Sequence, residues 1–306
     1  SILIVLLLLL YVGPIRAGID ISSSDLPLVN DAWYNALTAI KQGSSNDSII
    51  TSWWDFGHHF KAIADRRVTF DGTTQTSPAA HWVGKLLMAD DETKSIGILR
   101  MLDCGHNNAY KTLFKINNDT HNSIKIINEI VVLRKEDARK ALLKHGLTSQ
   151  QADDVLQYTH CNPPEAYFIA SEDMIGKSGV WSHFGSWSFE RADIWQNARR
   201  MPQEEAVAYM VKKFNYTRDK AENIYFEMQS ISSDSEANTW ISPWPGYGGT
   251  MNCNKNENNI YACSNGLQVN LTSYDVFGIN EQGIVRPKVV AFTTEYGILK
   301  KEFDDT

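Results

Sequence analysis

Most of the familiar chemical signatures are missing from this sequence. It holds no Gly-x-Ser-x-Gly elbow, no phosphate-cradling Walker loop, no dinucleotide fingerprint and no His-Glu-x-x-His pair, so the commonest hydrolase, nucleotide-binding and zinc-protease designs are set aside. A basic stripe is lacking too. Lys and Arg number 29 against 36 Asp and Glu, a net charge of −7, which argues against a nucleic-acid face, although a small local site can still oppose the net charge. Cysteines are few: Cys104, Cys161, Cys253 and Cys263 have no zinc-finger spacing. Cys253 and Cys263 flank an Asn-rich turn as two sides of a hairpin loop would, which favours a disulfide between them over one joining Cys104 to Cys161. His58-His59 and His81 make a poor metal site, because adjacent histidines on a helix point in different directions.

A full membrane span is also lacking. The apolar run Ile2 to Val12 is shorter than the ~20 residues a spanning helix needs. Neither an initiator Met nor a basic n-region precedes it, against a signal peptide. It reads as the distal end, over residues 1–18, of a transmembrane helix, which makes the chain a fragment. The sequons at Asn46, Asn118, Asn215 and Asn270 are compatible with an external location but do not establish one.

What is present is enough for a sizeable core. With 306 residues, 43% of them hydrophobic, the chain is expected to divide into two units. Pro14 to Pro27 reads as a linker and Asp31 to Gln42 as a helix with Trp33, Ala36, Leu37 and Ile40 on one face. Residues 77 to 158 read as a succession of helices, opened by Ser77-Pro78, by Asp90-Asp91 and by the Thr148-x-x-Gln151 capping box. Ala166 to Ala170 is a buried-strand candidate running into a cap at Ser171. Pro202 and Thr217 begin two further helices. From Ser232 onward turns and alternating apolar residues predict a β-rich unit. The expected fold class is α+β: a mainly helical core with a small sheet over 19–231, a β-rich inserted or peripheral unit over 232–306, and the membrane-helix remnant ahead of both.

The densest stretch is Trp53-Trp54-Asp55-Phe56-Gly57-His58-His59. Ser48 to Ser52 before it is β-branched and apolar, as in a short buried strand, and Phe60, Ile63 and Ala64 after it recur at helical spacing. The stretch therefore sits on a strand-to-helix turn, where Gly57 supplies backbone freedom. Two indole N–H groups only donate and a carboxylate only accepts, so together they complement a hydroxyl, as of Ser or Thr. The residues equally allow a Trp-Trp core anchor with Asp55 capping the following helix. If the two candidate strands lie side by side, the helix after Ser171 starts near this turn. On that helix Met174, Lys177 and Trp181 share a face, and an ordinary amphipathic helix with one solvated lysine stands beside any functional reading of them.

Trp53-Trp54-Asp55-Phe56-Gly57 resembles the WWDYG signature of the catalytic subunits of N-oligosaccharyltransferases, the STT3/AglB/PglB family, with Phe56 in place of the usual Tyr. The trailing Gly57-His58 is more like the archaeal AglB branch. Met174-x-x-Lys177-x-x-x-Trp181 is similar to a hybrid of that family's second signature, DxxK in archaeal and eukaryotic members and MxxI in bacterial ones. The resemblance implies the C-terminal acceptor-recognising region of an enzyme that moves an oligosaccharide from a dolichyl-phosphate-type lipid to Asn in Asn-x-Ser/Thr. It implies that Trp53, Trp54, Asp55, Phe56 and Gly57 bind the acceptor, with Met174, Lys177 and Trp181 flanking. It further implies a cell-membrane location with this region on the extracellular face. The catalytic carboxylates and the ligands of a Mn2+ or Mg2+ ion are expected on a membrane portion outside this chain, so neither a catalytic nor a metal-binding residue is assigned within it. The rival reading is a secreted or cell-surface carbohydrate-binding module without catalytic activity, since Trp-rich turns also stack on sugars.

Overall fold

The computed structural model of the chain describes residues 11–24 and 29–244 and, beyond them, the strand residues 253–255, 260–263, 267–270, 275–280, 283–285, 289–294 and 297–302. The chain forms two compact units, one ending at Pro245 and one running from Gly246 to Thr306.

The helices of the first unit are α1 (Arg16–Ser24), α2 (Asp31–Gly43), α3 (Ala79–Leu87), α4 (Glu92–Gly105), α5 (Asn108–Asn117), α6 (Thr120–Ile130), α7 (Lys135–Lys144), α8 (Ser149–Leu156), α9 (Asp173–Gly176), α10 (Ser178–Gly185), α11 (Phe189–Ala198), α12 (Gln203–Phe214), α13 (Arg218–Gln229) and α14 (Asp234–Ile241). Polar side chains set many of their starts. Asn30 accepts from Trp33 N–H, Asp91 from Thr93 N–H and Asp119 from Asn122 N–H, and Thr148 with Gln151 forms the full capping box. Strands β1 (Ile49–Thr51), β2 (Arg67–Val68) and β3 (Ala166–Phe168) make a small sheet in the order β2-β1-β3, with both pairings parallel. β1 is wholly buried at the centre, whereas Phe168 on the edge strand β3 is 42% exposed, so the buried strand expected at residue 166 is an edge.

The main core gathers Trp53, Trp82, Ile98, Met101, Leu113, Ile127 and Leu142 from α3 to α8 and the first turn. A second cluster, with Ile194, Val207, Met210, Ile224 and Met228, joins α11, α12 and α13. The helices α3 and α10 cross in close contact. A Cβ on Gly84 would lie 2.2 Å from the Trp181 carbonyl oxygen, and one on Gly185 would lie 2.4 Å from the Gly84 carbonyl carbon. No side chain other than hydrogen fits at either position.

Two expectations are corrected here, and a pairing held as the weaker one is present. The membrane-helix end over residues 1–18 is not supported: among the described residues no helix is long and apolar enough to cross a membrane. The residues expected to be its end and a linker instead lie in a turn at Tyr11–Ile15 and in α1, where Arg16, Asp20 and a serine run interrupt the apolar sequence. Residues 1–10 lie outside the described residues. Next, the β-rich region begins later than Ser232, because Ser233 caps α14 and Ala237 and Ile241 are buried. Cys104 and Cys161, the pairing that the sequence held as the weaker one, form a disulfide, made by the fold's return of the segment after α8 to the end of α4. Cys253 and Cys263 do face each other in register on β4 (Cys253–Lys255) and β5 (Ile260–Cys263), but their side chains lie outside the described residues.

In the second unit β4 and β5 continue into β6 (Leu267–Asn270), β7 (Asp275–Asn280) and β8 (Gly283–Val285) as an antiparallel five-stranded sheet. β9 (Val289–Thr294) and β10 (Gly297–Glu302) pair as an antiparallel hairpin. The expected β-rich character holds for these residues.

One half-buried acid gives the first unit a pH-dependent stability. Asp103 has a carboxyl oxygen enclosed without a hydrogen-bond partner, and burial pushes its pKa up to about 7 despite the opposing charge of Arg67. The folded state therefore favours the neutral acid, and this contribution is lost as pH rises from about 4 through about 7. Asp103→Asn is expected to match the parent near pH 4 and to exceed it by roughly 1–3 kcal/mol at pH 8. Denaturant melts at the two pH values check this, and an equal shift at both would refute it.

Candidate functional site

Parallel pairing of β1 with β3 points the carboxyl ends of both strands the same way, the end at which open parallel sheets place their ligands. Register pairs Ile49 with Ala166, Ile50 with Tyr167 and Thr51 with Phe168, and Ser52 Oγ donates to the Ile169 carbonyl at 2.8 Å. The turn after β1 and the helix after β3 therefore start side by side, which meets the condition that the sequence left open.

After β1 the chain makes a 3₁₀ turn at Trp54–Phe56 and a helical run through Ala64, ended by Asp65 in the left-handed region at φ 55°. Gly57 has an ordinary helical φ of −55°, which corrects the expectation that it supplies backbone freedom. Its lack of a Cβ is what matters: a Cβ there would lie 2.6 Å from Asp71 Cβ and 2.8 Å from the Phe70 carbonyl oxygen. Asp71, nearly inaccessible, accepts from Lys61 Nζ and, at 2.9 Å, from Thr73 N–H. Those bonds, with Lys61's the strongest, hold its carboxyl well below the usual carboxylate range. The turn is thus clamped from behind by a fully satisfied buried acid.

The two tryptophans divide. Trp53 is only 3% exposed and meets Phe70 edge-on at 5.6 Å, so it belongs to the core. Trp54 is half-buried at the margin of the same core. Phe56 stacks on Trp33 of α2 at 4.8 Å.

Asp55 faces Lys177 across the two turns. Lys177 Nζ lies 2.7 Å from Asp55 Oδ1 and 2.8 Å from Asp173 Oδ2, and 5.9 Å from the centre of the Phe56 ring. Partial burial opposes the lysine's charge, but its hydrogen bonds to Asp173 and Asp55 outweigh that and raise its pKa above that of free lysine. Partial burial likewise opposes the charge of Asp173, yet the bonds from Lys177 and Ser171 lower its pKa. Asp55 Oδ2 remains, enclosed and without a hydrogen-bond partner. Met174 is buried, and the Trp181 indole donates to the Met174 carbonyl at 2.8 Å, which fastens α10 to α9 beneath the lysine. Every residue expected at the site is thus brought to these two turns, with Trp53, Met174 and Trp181 placed as its support. Among the described residues no group of three or more His, Cys, Asp or Glu is placed to hold a metal ion.

Asp173 and Asp71 were not singled out by sequence reasoning. Asp173 had a signal, since it stands four residues before Lys177, the spacing of a helical ion pair. Asp71 had none, because its partners Lys61 and Gly57 meet it only through the fold.

Residues 46–191, which include both turns, match the profile described as the STT3/PglB/AglB core domain. The "Dolichyl-phosphooligosaccharide-protein glycotransferase" of Methanocaldococcus jannaschii is 38% identical over 203 residues, 63% of this chain and 22% of that protein. The chain is homologous to the STT3/PglB/AglB oligosaccharyltransferases. The protein of the same name from Methanococcus voltae is 36% identical over 60% of the chain and 21% of its own length. In Saccharomyces cerevisiae the "Dolichyl-diphosphooligosaccharide--protein glycosyltransferase subunit STT3" is 35% identical over 26% of the chain and 11% of its length. The chain thus spans about a fifth of the length of these archaeal relatives. The solved C-terminal domain of C. jejuni PglB is 12% identical and covers 89% of this chain and 76% of its own, with a TM-score of 0.42. The STT3/PglB/AglB match runs from just after α2 to the first turn of α11 and leaves most of the second helical cluster outside it.

Gly57→Ala is expected to destabilise the first unit by roughly 1–3 kcal/mol, because Asp71 and the Phe70 backbone have no room to retreat. Thermal denaturation checks this, and a parental melting temperature would show that the close approach carries no constraint.

Proposed function

We propose that this chain recognises the acceptor for an oligosaccharyltransferase that transfers a lipid-linked oligosaccharide from a dolichyl-phosphate-type carrier to the Asn of Asn-x-Ser/Thr. The observation that carries the reading is the unpaired Asp55 Oδ2, with Lys177 already holding Oδ1, on the turn that also carries the half-buried Trp54. Oδ2 is enclosed, so the turn would have to yield for an acceptor hydroxyl to donate its proton there, with the Trp54 indole donating to the same hydroxyl. Lys177 holds and aims Asp55, and Asp173 keeps Lys177 in place. The rest of the expected set, Trp53, Phe56, Gly57, Met174 and Trp181, acts by holding these groups.

The side-chain amide of Asn is a poor nucleophile, and the reaction implied by homology draws on carboxylates and a divalent cation, Mn2+ or Mg2+. The described residues contain no donor set that fits one, so this chain's proposed part is acceptor selection. The proposed setting is a membrane, with this region on its extracellular face. A carbohydrate-binding module gains no support at this turn, since the burial of Trp53 leaves no paired indole platform.

Binding of an Asn-x-Thr peptide and of its Asn-x-Val counterpart to the purified chain tests the reading. The Thr peptide should bind more tightly, Trp54→Phe should weaken it by roughly 1–3 kcal/mol, and Asp55→Ala should do at least as much. Equal affinity for both peptides in a folded protein would refute hydroxyl recognition.

The role of Lys177 separates from simple helix stability. Lys177→Ala should impair peptide binding while melting at nearly the parental temperature. Lys177→Arg should restore part of it, because guanidinium keeps the charge but is planar and forked; Lys177→Met should restore none. Unimpaired binding in Lys177→Ala would remove the residue from the site.

A further inference from the structure

The second helical cluster carries two adjoining cavities of about 550 and 570 Å³. Each lies within the roughly 300–1,000 Å³ typical of small-molecule sites. Trp195, Arg199, Arg200 and Asp234 line both, so the cavities form one trough with a shared wall between α11 and the start of α14. Trp187 and Ile241 close the first cavity, and Met228 and Ile231 line the second.

The chemistry of this wall is unusual for a surface with no assigned role. Among the described residues neither the Arg199 nor the Arg200 guanidinium has an ion-pair partner, although the chain is net acidic. Arg199 lies over the Trp195 ring at 4.7 Å, which holds its planar fork in one orientation. Cations are favoured at a helix C-terminus by the dipole alone, but that accounts for neither the two indoles nor the trough. Gln196 and Asn238 also line the first cavity, each able to donate and to accept. Forked cations match a carboxylate in two-point geometry, aromatic faces cover the C–H face of a sugar ring, and amides meet hydroxyls. The volume exceeds what one small anion fills and suits a short chain of rings.

We propose that this trough binds an acidic saccharide, with Arg199 and Arg200 on a sugar carboxylate and Trp187 and Trp195 against the rings. The proposal does not depend on hydroxyl recognition at Asp55, and it is tested by direct binding to the purified chain, so each reading can fail without the other.

Isothermal titration with a galacturonic acid trimer, a glucose trimer and inorganic pyrophosphate separates the alternatives. The uronate trimer should bind with a Kd at or below about 1 mM, weaken as salt rises, and bind at least about tenfold more tightly than the glucose trimer. Arg200→Ala, at an exposed position that spares the fold, should weaken it by about tenfold, and so should Trp195→Ala if its melting temperature stays parental. Absence of uronate binding, or binding unchanged in Arg200→Ala, would overturn the proposal. Pyrophosphate binding as tightly as the trimer would overturn it in favour of a phosphate group as the ligand.

Discussion

The site depends first on the parallel pairing of β1 with β3. Those strands contribute three residues each, yet their register fixes where two distant turns begin. Parallel strands send both chains out of the sheet at the same end, so Asp55 on one turn meets a lysine that Asp173 holds from within its own turn. An antiparallel pairing of the same segments would put them at opposite ends. The Lys177 contact with Asp55 is therefore a result of sheet topology before it is a matter of side-chain attraction, and partly exposed ion pairs of this kind contribute little to stability by themselves.

Rigidity behind the turns comes from close backbone approach. At Gly57 the chain lies against Asp71, whose charge is satisfied by Lys61 and Thr73. At Gly84 and Gly185 two helices touch backbone to backbone and hold α10 at a fixed depth, and the Trp181 bond to Met174 carries that depth to the start of α9. Lys177 stands between these anchored points, so its ammonium is positioned by packing while its charge is held by two carboxylates. The unpaired oxygen of Asp55 is affordable because the same residue's other oxygen is fully engaged.

Much of this was legible in the chain. The helix from Asp31, the capping box at Thr148 and the strand before Trp53 follow from local pattern and cap chemistry, whereas the side-by-side placement of the two strand-to-helix turns waited on strand pairing. Asp173 was within reach, four residues from Lys177. Trp53 was not, because nothing local says which of two adjacent indoles turns inward. The membrane-helix end read from the first residues and the start of the β-rich region at Ser232 went astray for one reason: apolar runs and composition report local tendency, while spanning helices and boundaries depend on continuity and on distant segments.

The sequence by itself determined the elements, their caps and the residue types gathered at Trp53 to Gly57 and at Met174 to Trp181, since these rest on interactions within a few residues. Only the tertiary structure decided that Cys104 meets Cys161, that Asp71 underlies Gly57, that Trp53 is core while Trp54 is margin, and that Arg199 and Arg200 line a trough with two tryptophans. Each of those depends on contacts whose partners are set by the packing of whole helices and the order of strands, which no short stretch of residues encodes.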